Sequence, residues 1–152
     1  MDWEKLTVKV LANIAELSTL KLINDRNALE SLVHHLRNLR PPIATAVVHG
    51  DFYLRHLLVD ENHQLTGVID WGGGDVHIGD PAIDLAIAHS FLPPSAYAQF
   101  RATYGEISSD TWALARLRAI HSSLLLMLYG HHSNDPVILR EGLRSIRVIL
   151  SG

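Results

Sequence analysis

The sequence predicts an α+β fold that is mostly helical, with a small β-hairpin in the middle of the chain. Apolar residues recur at helical spacing through most of the sequence, which indicates helices packed on a common core. Two short apolar runs, LLVD (57–60) and LTGVID (65–70), flank the polar ENHQ, a pattern typical of a hairpin. With 152 residues, 47% of them hydrophobic, the chain can form one domain with a substantial core.

Six helices are predicted, and proline, glycine and capping residues mark their ends. Asp80-Pro81 and Asp135-Pro136 each place a carboxylate at the N-cap and a proline at the first helical position. Gly105 and Gly130 end the fourth and fifth helices. The predicted ranges are 2–17, 24–40 (capped by Asn24 or Asp25 and ended by Pro41-Pro42), 81–91, 95–105, 109–130 (capped by Ser109 or Asp110) and 135–150.

The remaining segments are predicted as one further strand and two loops. ATAVVHG (44–50) is short, apolar and rich in β-branched residues, which predicts a buried strand. HGDFYLRH (49–56) follows as a loop that leads into the hairpin, and WGGGDVHIGD (71–80) is predicted as a glycine-rich loop.

Composition excludes several classes of function. The net charge of −3, with scattered arginines, gives no reason to expect binding to nucleic acid. The chain has no cysteine, so disulfides and thiolate metal sites are excluded. Residues 1–15 carry charges where a signal peptide needs an apolar segment, and no apolar run reaches membrane-spanning length. We therefore expect a cytoplasmic protein with no membrane or nucleic-acid partner.

Hairpin geometry brings three polar side chains to one rim. Pairing around the ENHQ turn places Val59 opposite Leu65 or a neighbour, and counting back places Asp70 beside residues 54–56. Directly opposed residues have Cβ atoms about 5 Å apart, so His56 and Asp70 should be close. Asp51 lies at the other end of the same loop. The pattern predicts that Asp51, His56 and Asp70 converge.

Crowded carboxylates stay ionised only when a cation or a hydrogen-bond donor lies between them. Mg²⁺ suits such a place, since it binds through one or two carboxylates together with phosphates and water. The other aspartate, on a sharp loop beside a glycine, would be free to accept a proton from an incoming hydroxyl.

Two further residues are predicted to support the loop. Asp84 lies inside an apolar helix, where a carboxylate must find donors, and we expect it to bond the backbone of the 49–56 loop. His49 is expected to be a hydrogen-bonded scaffold residue of that loop.

Three segments in order, HGDFYLRHLLVD, TGVIDWGGGD and GDPAIDLA, resemble the aminoglycoside phosphotransferase family, whose members are relatives of the protein kinases. The likeness runs from Val47 to Leu85 with the family's spacing. It implies the kinase-like C-terminal lobe, with Mg²⁺ as cofactor and ATP or GTP as co-substrate.

The resemblance also implies roles for individual residues. Asp51 would be the catalytic base, and Asp70 would bind the magnesium ions that bridge the nucleotide phosphates. His56 falls where most of the family has asparagine, the second metal ligand; the macrolide phosphotransferase branch is similar in having histidine there. Imidazole is a poorer Mg²⁺ ligand than oxygen, so this departure bears on metal affinity and nucleotide preference.

The family's N-terminal nucleotide-binding lobe has no counterpart in the sequence. The first glycine is Gly50, so no glycine-rich phosphate loop precedes it, and Lys5, Lys9 and Lys21 lie in helical patterns. We expect residues 1–152 to form a single domain that resembles the C-terminal lobe alone. A truncated gene, a cloned domain and a stand-alone descendant all fit this pattern, and the uncovered face predicts self-association or a missing N-lobe as partner.

Three functions remain open on the sequence. The first is transfer of the γ-phosphate to a hydroxyl of a small molecule, incomplete or inactive without an N-lobe. The second is a non-catalytic module that binds a small molecule or a protein. The third is a metal-dependent phosphoester hydrolase that uses Asp51, His56 and Asp70. The acceptor is equally open: aminoglycosides, macrolides, sugars, choline-like alcohols and homoserine-like molecules all fit, and Asp75 and Asp80 could attract a cationic one.

Overall fold

The computed structural model describes residues 3–36, 39, 46–71 and 76–152, and it confirms the α+β prediction. Helices dominate, and two small antiparallel sheets lie between the second and third of them. The helices are α1 Trp3–Thr19, α2 Arg26–Leu36, α3 Ala82–Phe91, α4 Tyr97–Tyr104, α5 Ser109–His132 and α6 Pro136–Ser151, with short 3-10 turns at Leu54–His56 and Pro94–Ala96. The predicted end of the second helix at Pro41-Pro42 lies outside the described residues.

The predicted hairpin is present. Strand β2 (Leu57–Val59) pairs antiparallel with β3 (Leu65–Val68), and Val59 lies opposite Leu65 as expected. The register shifts between Leu58 and Val59, which marks a bulge. The ladder continues beyond the strand ends, since the Ile69 amide donates to the His56 carbonyl at 2.9 Å. The hairpin therefore delivers Asp70 to the end of the loop.

One predicted loop contains a strand, and one predicted buried strand is half exposed. Strand β4 (His77–Gly79) falls inside the predicted loop 71–80 and pairs antiparallel with β1 (Ala46–Val48). In this two-stranded sheet Val48 is buried, whereas Val47 is 66% exposed. The prediction of a buried strand is wrong for the outer face because a sheet of two strands has only one face to lay on the core.

Helix starts follow the capping chemistry. The Asp135 carboxylate accepts from the Val137 and Ile138 amides, which confirms it as the cap of α6. Asp80 is buried and accepts from the Ala82 amide at the start of α3. For α5 the predicted cap was wrong by one residue, since Ser108 accepts from the Thr111 amide. Gly105, at φ +105°, closes α4 as predicted.

Helix α5 forms the centre of the core. It packs against α1, α3 and α6, and its buried residues include Leu117, Ile120 and Leu124. It is the longest helix and carries Arg116 and Arg118 in its first half; no helix of the described chain is long and apolar enough to cross a membrane. The helix bundle thus holds α3 and α5 rigidly side by side, and both reach the loop that precedes the hairpin.

Gly130 does not end α5, which runs two residues further to His132. A Cβ at this position would lie 2.5 Å from the Leu139 amide nitrogen and 3.0 Å from the Asp135 carbonyl oxygen. The glycine therefore allows the start of α6 to pass against α5, and the prediction of a helix end here was wrong because the residue is needed for packing.

Substitution of Gly130 should reverse the usual effect of alanine in a helix. An unhindered Gly→Ala change inside a helix stabilises by up to about 1 kcal/mol. Gly130→Ala should instead destabilise by about 2 kcal/mol, because the new methyl group meets backbone rather than a movable side chain. Urea unfolding measures the difference. Gly67→Ala, whose Cβ would meet only Leu58 at 3.7 Å, is the control, and a stabilised Gly130→Ala would contradict the packing assignment.

Two buried histidines make the fold sensitive to acid. Burial lowers the pKa of His89 to about 4, although its hydrogen bond to the Trp112 carbonyl opposes the shift. Burial, with the nearby cations Arg118 and Lys9, also lowers the pKa of His121 to about 4. Both rings are therefore neutral in the folded chain at pH 7.

Acidification should consequently destabilise the protein between pH 6.5 and pH 4. In that window the unfolded chain binds the protons first, so stability is fully present above pH 6.5 and falls as the pH approaches 4, by on the order of 3 kcal/mol per histidine. His89→Gln should show a shallower loss than the wild type in thermal unfolding at stepped pH. The exposed His35→Gln should keep the wild-type profile, and an equal loss in both variants would refute the role of burial.

Candidate functional site

The loop after β1 is held by a carboxylate on α3. The His49 amide donates to Asp84 Oδ2 at 2.6 Å, and the Gly50 amide donates to Asp84 Oδ1 at 3.0 Å. Gly50 has φ +86°, a conformation that side chains disfavour, and this lets two successive amides point at one carboxylate. Asp84 thus makes the contact with the loop backbone that the sequence analysis expects.

His49 is a buried scaffold residue. Only 2% of it is exposed, and its Nε2–H donates to the Ile69 carbonyl at 2.9 Å. Its ring stacks on His56 with centroids 5.3 Å apart, and the Trp71 ring lies 4.9 Å from it on a tilted plane. The ring therefore ties the loop to the last residues of the hairpin.

His56 and Asp70 meet at the end of the hairpin. His56 closes the 3-10 turn Leu54–His56, and its Nε2 lies 3.2 Å from Asp70 Oδ2. The His56 side chain is almost buried, whereas the Asp70 side chain is 60% exposed. Asp70 has φ +66°, a left-handed conformation in which aspartate is among the few tolerated residues. The predicted proximity of these two residues is what the structure shows.

The ring orientation of His56 follows from its other nitrogen. Nδ1 lies 2.8 Å from the Asp51 carbonyl oxygen, and because a carbonyl can only accept, Nδ1 must carry the proton. In the neutral ring Nε2 then offers a lone pair toward the Asp70 carboxylate. Two lone pairs at 3.2 Å attract only when a proton or a cation lies between them. A backbone carbonyl on the far ring nitrogen is also the usual support of a metal-binding histidine.

Asp51 belongs to the same loop but faces a different space. Its side chain is exposed and unpaired among the described residues, and Asp51 borders a cleft rather than the His56–Asp70 pair. The structure thus joins the three predicted residues through the Asp51 carbonyl and not through one cluster of side chains. In the described part of the chain no group of three or more His, Asp and Glu residues is placed to enclose a cation. A metal at His56 and Asp70 would need further ligands from phosphate and water.

The cleft has a volume of about 820 Å³, within the range of small-molecule sites. Its floor is the loop 50–55, and its walls come from α3, α5 and α6. Most of the lining surface is apolar, although arginines, serines, a histidine and a glutamate are among the wall residues. The large apolar lining residues include Phe52 and Leu54 on the floor and Ile83, Ile87, Leu126 and Ile138 in the walls.

Arg118 is a residue of the site that the sequence analysis missed. It lies on α5, borders the cleft together with Asp51, and burial lowers the pKa of its guanidinium while Asp51 and then Asp84 raise it. Its guanidinium contacts His121 Nδ1 at 3.5 Å. An arginine in the interior of a long predicted helix was the available signal, since a buried arginine must face either a carboxylate or a cavity.

Comparison with known families gives one broad match. The sequence profile of the phosphotransferase enzyme family (APH) matches residues 2–120, more than three quarters of the chain. The match includes the loop, the hairpin, α3 and the start of α5. An uncharacterized protein of Bacillus subtilis (strain 168), YcbJ, is 28% identical over 72 residues, which cover 47% of this chain and 23% of YcbJ.

Among solved structures, a macrolide 2'-phosphotransferase type I is similar over 93% of this chain, with a TM-score of 0.55 and 22% identity. This similarity supports the kinase-like fold. The chain spans 47% of the length of that structure.

Proposed function

Because the chain belongs to the phosphotransferase enzyme family, we propose that it is the lobe of a phosphotransferase that binds the acceptor and activates it. The reaction would move the γ-phosphate of ATP or GTP to a hydroxyl of a small molecule. One observation carries the proposal: Nε2 of His56, whose Nδ1–H donates to the Asp51 carbonyl, faces the exposed carboxylate of Asp70 at 3.2 Å. Such a pair is a donor set for a cation.

His56 and Asp70 would hold Mg²⁺ together with the phosphates of the nucleotide. The ion would neutralise charge on the phosphate oxygens as the phosphoryl group moves. Imidazole binds Mg²⁺ less well than the asparagine oxygen expected from the family, so the carboxylate of Asp70 would carry most of the affinity. The left-handed backbone at Asp70 keeps that carboxylate at the hairpin end and exposed to ligand.

Asp51 would orient the acceptor hydroxyl and take its proton. The carboxylate is exposed at the edge of the cleft. Its loop is held by Asp84, which accepts hydrogen bonds from the His49 and Gly50 amides. A base must come within hydrogen-bond reach of the proton it removes, and a hydroxyl bound in the cleft can lie there. Arg118 would balance the charges of Asp51 and Asp84 from the side of α5.

A second, nucleotide-binding lobe would cover an apolar surface beside this site. Eight of the fourteen large hydrophobic residues that are exposed in the described chain lie on the two sheets and at their ends. Such patches on soluble proteins mark interaction surfaces. We call this set of exposed residues the sheet patch: Val47, Leu58, Val59, Leu65, Ile69, Trp71, Val76 and Ile78. Full activity would require the lobe that covers it, while self-association would be the consequence of leaving it bare.

Titration calorimetry tests the metal-nucleotide site. Mg²⁺ with ATP, and separately with GTP, is titrated at millimolar concentration into the purified chain and into Asp70→Ala. We expect weak binding that Asp70→Ala abolishes. Glu61→Ala is the control, because it removes an exposed carboxylate from the turn of the same hairpin.

Absence of heat in the wild type would contradict a nucleotide site in this lobe. The chain would then be better described as a small-molecule binding module, since the cleft is formed without any nucleotide. Binding that survives Asp70→Ala would place the nucleotide elsewhere.

A further inference from the structure

The charged residues around the cleft are mainly basic. Two carboxylates, of Asp51 and Glu141, border it together with four guanidinium groups. Glu141 is already neutralised, because Arg144 binds both of its carboxylate oxygens, at 2.6 Å and 3.0 Å. Arg144 is further fixed by donating to the Ser90 carbonyl. The four arginines are Arg55, Arg118, Arg140 and Arg144.

This leaves cations in excess of anions. Within the part of the chain that the structure describes, Arg55 and Arg140 form no ion pair, whereas Arg118 is offset by the carboxylates of Asp51 and Asp84. His121, which also borders the cleft, is neutral at pH 7 because burial lowers its pKa to about 4. Asp80 cannot contribute, since it is buried and accepts from the Ala82 amide. Asp75 lies outside the described residues.

From this charge pattern we propose that the acceptor is an alcohol with a large apolar body and an anionic group, such as a carboxylate, and that polycationic amino sugars are excluded. The inference rests on the proposed function, because it identifies the molecule whose hydroxyl Asp51 would meet. The apolar walls take the body of the acceptor, Asp51 takes the hydroxyl, and Arg140 takes the anion. Arg140 is exposed, so its guanidinium can reach a ligand without rearrangement of the core.

Electrostatics favours this class over a polycation. A polyamine leaves water only where carboxylates replace its hydration, and here Asp51 is offset by Arg118 and Glu141 by Arg144, while Arg55 and Arg140 remain outside ion pairs. Binding of an anionic group is favoured instead, because guanidinium groups bind carboxylates through two parallel hydrogen bonds. Exposed apolar residues near the mouth of the cleft, Leu125, Tyr129 and Val137, add contact surface for a hydrophobic body.

Three probes with the same twelve-carbon body separate charge from hydrophobicity. They are 12-hydroxydodecanoate, 1,12-dodecanediol and 12-amino-1-dodecanol, and kanamycin serves as the polycation. Dissociation constants are measured by calorimetry on the whole chain without nucleotide. We expect the hydroxy acid to bind about tenfold more tightly than the amino alcohol, with the diol between them and no binding of kanamycin.

Two charge-reversal variants test whether the cleft is responsible for the preference for the hydroxy acid. Arg140→Glu should remove or reverse the preference for the hydroxy acid, and because Arg140 is exposed the variant should fold. Arg147→Glu makes the same change on an exposed residue of α6 that does not border the cleft, and it should keep the wild-type order. Equal or tighter binding of the amino alcohol, or an order unchanged by Arg140→Glu, would overturn the proposal.

The result is independent of phosphoryl transfer. A hydroxy acid that binds through Arg140 but is never phosphorylated by the chain joined to a nucleotide lobe would refute the proposed function and show this class to be a ligand of the cleft only. Transfer to cationic alcohols alone would refute the acceptor class and support the proposed function.

Discussion

Replacement of Asp51 by asparagine should lower phosphoryl transfer by about 10²- to 10⁴-fold, the usual contribution of a general base. The change keeps the shape of the side chain and removes its ability to take a proton. The backbone carbonyl of Asp51, which orients His56, is unaffected. The assay is acceptor-dependent release of nucleoside diphosphate by the chain joined to a nucleotide-binding lobe.

Two controls show whether the loss is specific to proton transfer by Asp51. Asp60→Asn makes the same chemical change in the hairpin turn and should leave transfer unchanged. Acceptor binding should also persist in Asp51→Asn, since the walls of the cleft come from the helices. Retention of a third or more of the wild-type rate would exclude Asp51 as the base.

Replacement of Asp84 by alanine should destabilise the fold by about 3 kcal/mol and release the 49–56 loop. The substitution leaves the His49 and Gly50 amides without an acceptor, and each unpaired amide of this kind costs about 1–3 kcal/mol. Arg118 would also lose one of the two carboxylates that offset its burial. Urea unfolding measures the loss of stability, and hydrogen exchange at His49 and Gly50 measures the release of the loop.

Asparagine at position 84 should recover only part of the loss. Its amide group offers one acceptor oxygen and turns a donor toward the second backbone amide. Glu106→Ala, which removes an exposed carboxylate from the turn between α4 and α5, is the control. Unchanged protection of the His49 and Gly50 amides in Asp84→Ala would show that something else holds the loop.

The helices were predictable because each has a strong local signal. Apolar spacing or signals at their ends identified all of them, and Asp135-Pro136 predicted the start of α6 through the capping geometry that the structure shows. Gly130 was misread because a glycine needed for close helix packing looks the same in sequence as a helix end. Strand β4 was missed since its partner β1 lies about 30 residues away, and a three-residue run after glycines has no local pattern of its own.

The contacts of the site were predictable where hairpin pairing or the burial of a carboxylate left few possible partners. Hairpin pairing brings His56 and Asp70 together, and a carboxylate inside α3 must find backbone donors, which it does at His49 and Gly50. The motifs that resemble the aminoglycoside phosphotransferase family predicted the family match that the comparisons confirm. Arg118 was missed because polar and apolar residues are spread around α5, so the sequence does not reveal which side of this helix borders the cleft.

Nuclear magnetic resonance with Mn²⁺ in place of Mg²⁺ tests the metal-nucleotide site at His56 and Asp70 most directly. Paramagnetic broadening reports which amides lie near the ion when Mn²⁺ and ATP are added to the labelled chain. We predict that broadening begins at residues 51–56 and 69–71, spares α6, and disappears in Asp70→Ala. Broadening that centres on the surface histidines His34, His35 and His132, or that persists in Asp70→Ala, would contradict a metal site at the end of the hairpin.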